Sequence, residues 1–220
     1  MKSKTLLRNA AVCLSAWLLP HASVFGALTD GLIAYWPLDE VNGERTPELI
    51  NGYDMELVNL TAADLVEGNT GKAFLFDVER QTLLQRISAE GDKLPASEQH
   101  DAWSVSLWVK GQGEGQNDLR VFSEGSTENS NPLFNIGTDS GGASSSVDIF
   151  VRGRSGTINH PKSTIAAFDD TWHLITWTQS GNDVALYIDG VLDEIAIEMG
   201  VNPLINPEDD YRMNTTTIGG

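Results

Sequence analysis

Residues 172–194 (WHLITWTQSGNDVALYIDGVLDE) carry the pattern that most restricts the fold of this chain. From Val184 to Asp189 the large aliphatic residues recur at every second position (VALYID), which is the period of two expected of a half-buried β-strand. Asp189-Gly190 separates two apolar runs, and this dipeptide favours the two-residue turn of a β-hairpin. The segment therefore predicts three short antiparallel strands joined by two turns, and it contains no catalytic motif.

Short strand-like segments recur along the whole chain, separated by clusters of Gly, Asn, Ser, Pro and acidic residues. No amphipathic helix longer than two turns lies between them, which excludes an alternating β–α architecture. Many short strands with turn residues between them predict an all-β sandwich or barrel, and strands apolar on one face suit two packed antiparallel sheets. The other predicted strands are 31–38, 55–58, 73–77, 82–84 (pairing with 73–77), 102–110, 119–122, 133–136, 147–151 and 215–218, with a short helical turn within 88–101.

The charge of the chain is strongly unbalanced, with 31 acidic residues against 14 Lys and Arg and a net charge of −17. A chain this acidic repels nucleic-acid phosphates and anionic lipid surfaces, so neither is expected as a partner. The acidic residues have two interpretations: a solvated surface of a secreted protein, or ligands for calcium.

The N-terminus has the features of an export signal. Basic residues precede an apolar run at 10–19. Val24 and Gly26 are small residues at positions −3 and −1 of a cleavage site after Gly26, and cleavage after Ala27 is the alternative. The run is shorter than the roughly 20 residues that span a bilayer, so no membrane insertion is expected. Cys13, the only cysteine, lies inside it, which leaves the mature chain without thiol chemistry. We predict a signal peptide at 1–26, a mature domain at 27–220 and a secreted, periplasmic or cell-surface location; the alternative is a buried first helix.

Five short segments occur in a characteristic order: LIAYWPLDE at 32–40, GKAFLFD at 71–77, SVSLWVK at 104–110, TWHL at 171–174 and LYIDG at 186–190. In this order they resemble the laminin-G-like, concanavalin-A-like lectin (jelly-roll) domains of exported bacterial proteins. The resemblance extends over residues 28–220. It implies an all-β fold, an antiparallel two-sheet jelly-roll sandwich.

The end of the chain departs from that family. Such domains usually continue past the IGG at 218–220 into a closing strand with an IDEVRIY-like sequence, whereas this sequence stops at Gly220. We therefore expect one strand position to be empty, with an exposed sheet edge that invites pairing with another chain. Further domains of a longer protein are expected as well.

The five Trp residues outside the signal have two interpretations: Trp36, Trp103, Trp108, Trp172 and Trp177. Their rings suit stacking against the C–H faces of pyranose sugars, which would make a sugar-binding platform. The other interpretation, which we favour for Trp on strands, is core filling. Because side chains alternate across a strand, Trp103 and Trp108 should face opposite sides, and so should Trp172 and Trp177.

Asp39, Glu40 and Asp77 lie at the ends of predicted strands and are the candidate ligands of a structural calcium ion. Ca²⁺ takes about six to eight oxygen ligands, which loops can supply. The resemblance implies such an ion near the N-terminal loop. No EF-hand spacing accompanies these residues, so turn capping and solubility are the alternative roles, and Asp189 is assigned to its turn.

No catalytic residue can be assigned from the sequence. Retaining glycosidases place two carboxyl groups about 5–5.5 Å apart, and sandwich enzymes of the resembling kind carry them on one strand as E-x-D-x-x-E, which this chain lacks. Glu194 and Glu198 are too widely spaced to be adjacent on a strand. His100, His160 and His173 have no recognisable Ser, Cys or metal-ligand partner motif.

These observations favour a non-catalytic exported binding module that recognises carbohydrate or a cell-surface protein, with calcium as the one expected cofactor. Two alternatives remain. One is a divergent polysaccharide hydrolase or lyase on the same fold, and the other is a structural or adhesive fragment of a larger surface protein.

Overall fold

The structure, a computed structural model, describes residues 30–128, 133–152, 158–181, 183–193 and 212–220. The predicted signal peptide, with Cys13, lies outside the described residues, as do Glu194 and Glu198. The chain divides into two units, Met1–Leu32 and Ile33–Gly220, and the described strands all lie in the second. No helix among the described residues is long and apolar enough to cross a membrane.

Short strands dominate the second unit. Its one described α-helix, α1, is a single turn at Ala96–Gln99, as predicted within 88–101. In chain order the strands are β1 (Arg45–Thr46), β2 (Met55–Val58), β3 (Leu65–Glu67), β4 (Lys72–Phe74), β5 (Leu83–Ile87), β6 (Ala102–Val109), β7 (Arg120–Gly125), β8 (Leu133–Thr138), β9 (Ser146–Arg152), β10 (Ile158–Asn159), β11 (Lys162–Ala166), β12 (His173–Ser180), β13 (Asp183–Ile188), β14 (Val191–Leu192) and β15 (Thr215–Ile218).

Two antiparallel sheets contain most of these strands. The larger, of nine strands, has the order β1-β2-β5-β15-β7-β8-β9-β10, with β11 also paired to β9. The smaller has the order β14-β13-β12-β6, and β3 pairs with β4 in a separate two-stranded ribbon. Strands distant in sequence thus become neighbours.

The two larger sheets pack face to face on one apolar core. Phe134 of the nine-stranded sheet meets Trp103 edge-on at a centroid distance of 5.0 Å, and Trp177 at 5.6 Å. Both Trp residues come from the four-stranded sheet, and the same cluster includes Ile149 and Leu186. The prediction of an all-β, antiparallel two-sheet sandwich is confirmed.

The predicted hairpin block is also confirmed. Strands β12 and β13 pair from Ile175–Ile188 to Ser180–Asp183, and β14 then pairs back onto β13. Asp189 and Gly190 have φ angles of +53° and +77°, which is the pair of positive values that a type I′ turn requires. Local turn chemistry therefore fixes this part of the chain.

Two expectations about local structure were wrong. Residues 31–38 form no strand: Pro37 has no N–H, Leu38 has a φ of +61°, and the N–H of Tyr35 donates to the Glu48 carboxylate instead of to a neighbouring strand. Residues 82–84 do not pair with 73–77, since β5 lies between β2 and β15.

The last described strand, β15, occupies the middle of the nine-stranded sheet, between β5 and β7. Within the described part of the chain β6 pairs with β12 alone, so its other side is a sheet edge. The expectation of an empty strand position stays a prediction.

Candidate functional site

The Trp residues divide between the core and the surface. Trp177 and Trp103 are buried, at 0% and 7% exposure, whereas Trp108 is 49% exposed on the outer face of the four-stranded sheet. The predicted separation of Trp103 from Trp108 is therefore confirmed. Trp172 is partly buried and precedes β12, and Trp36, also partly buried, donates its indole N–H to the Tyr53 carbonyl at 2.8 Å.

The residues predicted to bind calcium already have protein partners in two of three cases. Asp39 Oδ1 accepts the backbone N–H of Lys72 at 2.7 Å. Asp77 accepts the guanidinium of Arg80 at 3.0 Å, and this hydrogen bond holds the pKa of Asp77 below its ordinary value. Glu40 is exposed. Among the described residues no group of three or more His, Cys, Asp or Glu side chains is placed to hold a metal ion. Calcium binding stays a prediction.

The face of the nine-stranded sheet that points away from the core carries a row of polar side chains. Gln85 on β5 is the cross-strand partner of Thr217 on β15, which is the partner of Ser123 on β7, which is the partner of Asn135 on β8. We call these four residues the polar row. Phe150 on β9 is the cross-strand partner of Asn135 and lies next to the row at that end. With strands about 4.8 Å apart, Gln85 and Asn135 are separated by about 14 Å.

Strand alternation places these side chains opposite the core. Asn135 lies between Phe134 and Ile136, which are both in the core cluster, and Ser123 follows the core residue Phe122. The Ser123 and Thr217 hydroxyls are hydrogen-bonded at 2.5 Å. The middle of the row is nevertheless protected from bulk solvent, because Ser123 is 5% and Asn135 3% exposed.

Asn135 has an unusual environment for a buried amide. Its Oδ1 atom is inaccessible to solvent and accepts no hydrogen bond in the structure. Most buried polar atoms have a partner, because leaving one without costs about 1–3 kcal/mol. Asn135 Oδ1, on the face opposite the core, is therefore a candidate acceptor for a donor group of a ligand.

A carboxylate and an imidazole lie beside the Phe150 end of the row. Asp148, two residues before Phe150 on β9, is buried; its Oδ2 accepts the N–H of Ser140 at 2.9 Å, and its Oδ1 lies 2.6 Å from His160 Nε2. The His160 ring meets Phe150 edge-on at 5.1 Å, and the Arg152 guanidinium lies 5.0 Å from the Phe150 ring centroid.

A second ion pair lies close to the first. Lys162, the cross-strand partner of Asp148, donates to Asp139 at 2.5 Å, and Ser144 donates to the same carboxylate at 2.6 Å. These bonds, that of Lys162 above all, hold the pKa of Asp139 far below its ordinary value. Lys162 and His160, both near this end of the row, therefore each contact a carboxylate of the protein.

His173 lies far from the row and serves the hairpin. Its Nδ1 is 2.7 Å from Asp189 Oδ2 and its Nε2 is 3.0 Å from Asp169 Oδ1. Asp189 also accepts the N–H of Leu174 at 2.8 Å, so it holds the turn against β12, in agreement with the role predicted for it.

The sequence analysis missed Asn135, Ser123 and Asp148. A signal exists for Asn135 and Asp148: in LFNIGT and SVDIFVR each stands between two apolar residues that alternation assigns to the core. What the sequence alone does not provide is the pairing of β7, β8 and β15, which aligns these isolated residues into one row.

Comparison with known proteins agrees with the two-sheet fold. A sequence profile described as the concanavalin A-like lectin/glucanases superfamily matches residues 88–215, and no curated protein sequence gives a significant match. The sialidase of Trypanosoma rangeli is similar in structure, with a TM-score of 0.58 at 12% identity over 87% of this chain and 28% of that chain. The binding domain of Paraclostridial Mosquitocidal Protein 1 gives a TM-score of 0.54 at 13% identity over 85% of this chain and 47% of that domain.

This chain therefore spans less than half the length of either solved structure, and identities this low show a shared fold alone. The profile match, in contrast, covers more than half of the 220 residues and agrees with the two-sheet sandwich and with the laminin-G-like resemblance. The chain belongs to the concanavalin A-like lectin/glucanase superfamily.

Proposed function

We propose that the chain is an exported, non-catalytic binding module that recognises a glycan through the polar row. The observation that carries the proposal is the buried, unpartnered Oδ1 of Asn135 on the face opposite the core. A sugar hydroxyl that donates to this oxygen would remove the cost of leaving it without a partner.

The chemistry of the face supports a sugar ligand. The row has an amide at each end and two hydroxyls between them. It extends for about 14 Å, the length of a short oligosaccharide, and can bond several hydroxyls in sequence. Phe150 adds an apolar surface at one end of the row. Ligand sites commonly combine a few fixed polar groups with apolar or aromatic walls in this way.

The same face supports a binding role rather than catalysis. The row itself holds amides and hydroxyls. The carboxylates beside it are Asp148, which lies against His160 and accepts the Ser140 N–H, and Glu56, which is paired with Arg45. A retaining glycosidase would need a second carboxyl group about 5–5.5 Å away. The hydrolase or lyase alternative is tested by incubation with a polysaccharide panel, where new reducing ends or unsaturated uronates would contradict the proposal.

The binding test uses a glycan array followed by calorimetry on the full chain. N135A should weaken binding of an array hit by about ten-fold or more, while its melting curve confirms folding. W108A is the matched control, because Trp108 lies on the outer face of the other sheet and is exposed; it should bind as the unmodified chain does.

Two results would contradict the proposal. Loss of binding in W108A with N135A unaffected would move the site to the four-stranded sheet. Absence of any saturable glycan signal would favour a protein partner or the adhesive role.

A further inference from the structure

We infer that the polar row selects uncharged sugars and discriminates against glycans with carboxylate or sulfate groups. This inference rests on the proposed function and specifies its ligand class. It is drawn from the kinds of polar atom that the row presents and from the charges around it.

The buried atom that lacks a partner is an acceptor. Asn135 Oδ1 requires a donor from the ligand, and a sugar hydroxyl provides one. A carboxylate or sulfate oxygen offers only lone pairs, so it would meet Asn135 Oδ1 with repulsion. Asp148, adjacent to the row and buried, is a second acceptor group.

The hydroxyl pair in the middle of the row does not offset the repulsion between an anionic ligand and these acceptor atoms. Ser123 and Thr217 share one hydrogen bond at 2.5 Å, which uses one of their two hydroxyl protons. Recognition of an anion commonly involves several convergent donors or a guanidinium fork. The other donors of the row are the side-chain amide N–H groups of Gln85 and Asn135, so all of its donors are uncharged. Uncharged donors suffice for a neutral sugar and bind an anion weakly.

The basic side chains near the two ends of the row already contact groups of the protein. At one end Arg45 is bonded to Glu56, the cross-strand neighbour of Gln85, at 2.8 Å. At the other end Lys162 lies against Asp139, His160 against Asp148, and the Arg152 guanidinium against the Phe150 ring. The chain as a whole carries a net charge of −17, so its field repels an approaching anion.

The test compares matched probes on the full chain: a neutral oligosaccharide that binds on the array, and the same backbone bearing uronic or sialic acid. The dissociation constant of the neutral probe should be at least about ten-fold lower than that of the acidic probe. The ratio of the two dissociation constants should become smaller at high salt, because salt screens the repulsion of the acidic probe.

A charge-introducing variant sharpens the comparison. Gln85→Lys places an ammonium group in the row. It should bring the dissociation constants of the neutral and acidic probes closer together. Thr176→Lys, on the outer face of the other sheet, adds the same charge elsewhere and controls for net charge; it should change the ratio less.

The outcomes separate the two proposals. Equal or tighter binding of the acidic probe, lost in N135A, would overturn the inference and leave the proposed function intact. No binding of either probe, or binding that N135A does not change, would overturn the proposed function as well.

Discussion

Trp177 and Trp108 lie on adjacent strands of one sheet and meet opposite environments. Trp177 is fully buried, with its ring 5.6 Å from Phe134, whereas Trp108 is half exposed. Replacing a buried Trp with Ala costs about 3–5 kcal/mol, because the lost contacts leave a cavity. We expect W177A to lower the free energy of unfolding by that amount, and W108A to cost much less. Urea unfolding measures both, and equal losses would mean that Trp108 also packs in the core.

His173 makes the stability of the hairpin depend on pH. Partial burial lowers the pKa of His173, but the adjacent carboxylates of Asp189 and Asp169 outweigh this effect and raise it above the ordinary value. The stabilisation is therefore complete below the unfolded-state pKa of about 6.5 and is lost as pH rises through the higher folded-state pKa.

The matched comparison for this pH effect is H173Q, which can still form hydrogen bonds but does not titrate. From about pH 6.5 upward the unmodified chain should lose melting temperature relative to H173Q. Parallel pH profiles of the two proteins would contradict this role for His173.

At the scale of elements, the Glu48 carboxylate accepts a backbone hydrogen bond from residues 31–38, where a neighbouring strand would otherwise be the acceptor. This buried carboxylate accepts the backbone N–H groups of Tyr35 at 2.6 Å, Ile50 at 2.8 Å, Asn51 at 2.7 Å and Tyr53 at 3.2 Å. Burial raises the pKa of Glu48, but the four donated bonds outweigh it and hold the pKa below its ordinary value.

E48A should therefore destabilise the protein by about 2 kcal/mol or more, because several N–H groups lose their acceptor. The contribution of Glu48 is present above the unfolded-state pKa of about 4.3 and is lost as pH falls through the lower folded-state value. E48Q should consequently show a flatter decline of melting temperature below about pH 4.3. An E48A protein as stable as the unmodified chain would show that these bonds have no net effect.

The sequence predictions were correct where an element is determined by residues close in sequence, and wrong where it depends on residues far away in sequence. The β12–β13–β14 block was predictable because its turns are local, and β2 and β15 were predicted at their observed boundaries. The N-terminal segment was predicted as a strand and is not one, because a side chain 13 positions away satisfies Tyr35. The partner of residues 82–84 was wrong because β5 pairs with β15, more than a hundred residues later.

At the scale of the whole molecule, the sandwich could be predicted while the candidate site could not. The alternation within each strand was enough to separate Trp103 from Trp108. The polar row, in contrast, exists only because β15 inserts between β5 and β7, which aligns Gln85, Thr217 and Ser123. Each of these residues alone looks like an ordinary solvent-facing position of a strand.

The predicted calcium ion would also act on the whole fold, since binding to the native state raises stability by mass action. The expected result is a lower melting temperature after addition of chelator, and no response to chelator in D39N. An unchanged melting curve with chelator would remove Asp39, Glu40 and Asp77 from consideration as ligands.

The most direct test of glycan recognition is the map of backbone amide chemical shifts as an array-selected neutral oligosaccharide is titrated into the full chain. We expect the largest changes at Gln85, Ser123, Asn135 and Thr217, with smaller ones at Phe150. Changes confined to Trp108 and its neighbours on the four-stranded sheet would contradict the assignment of the site to the polar row.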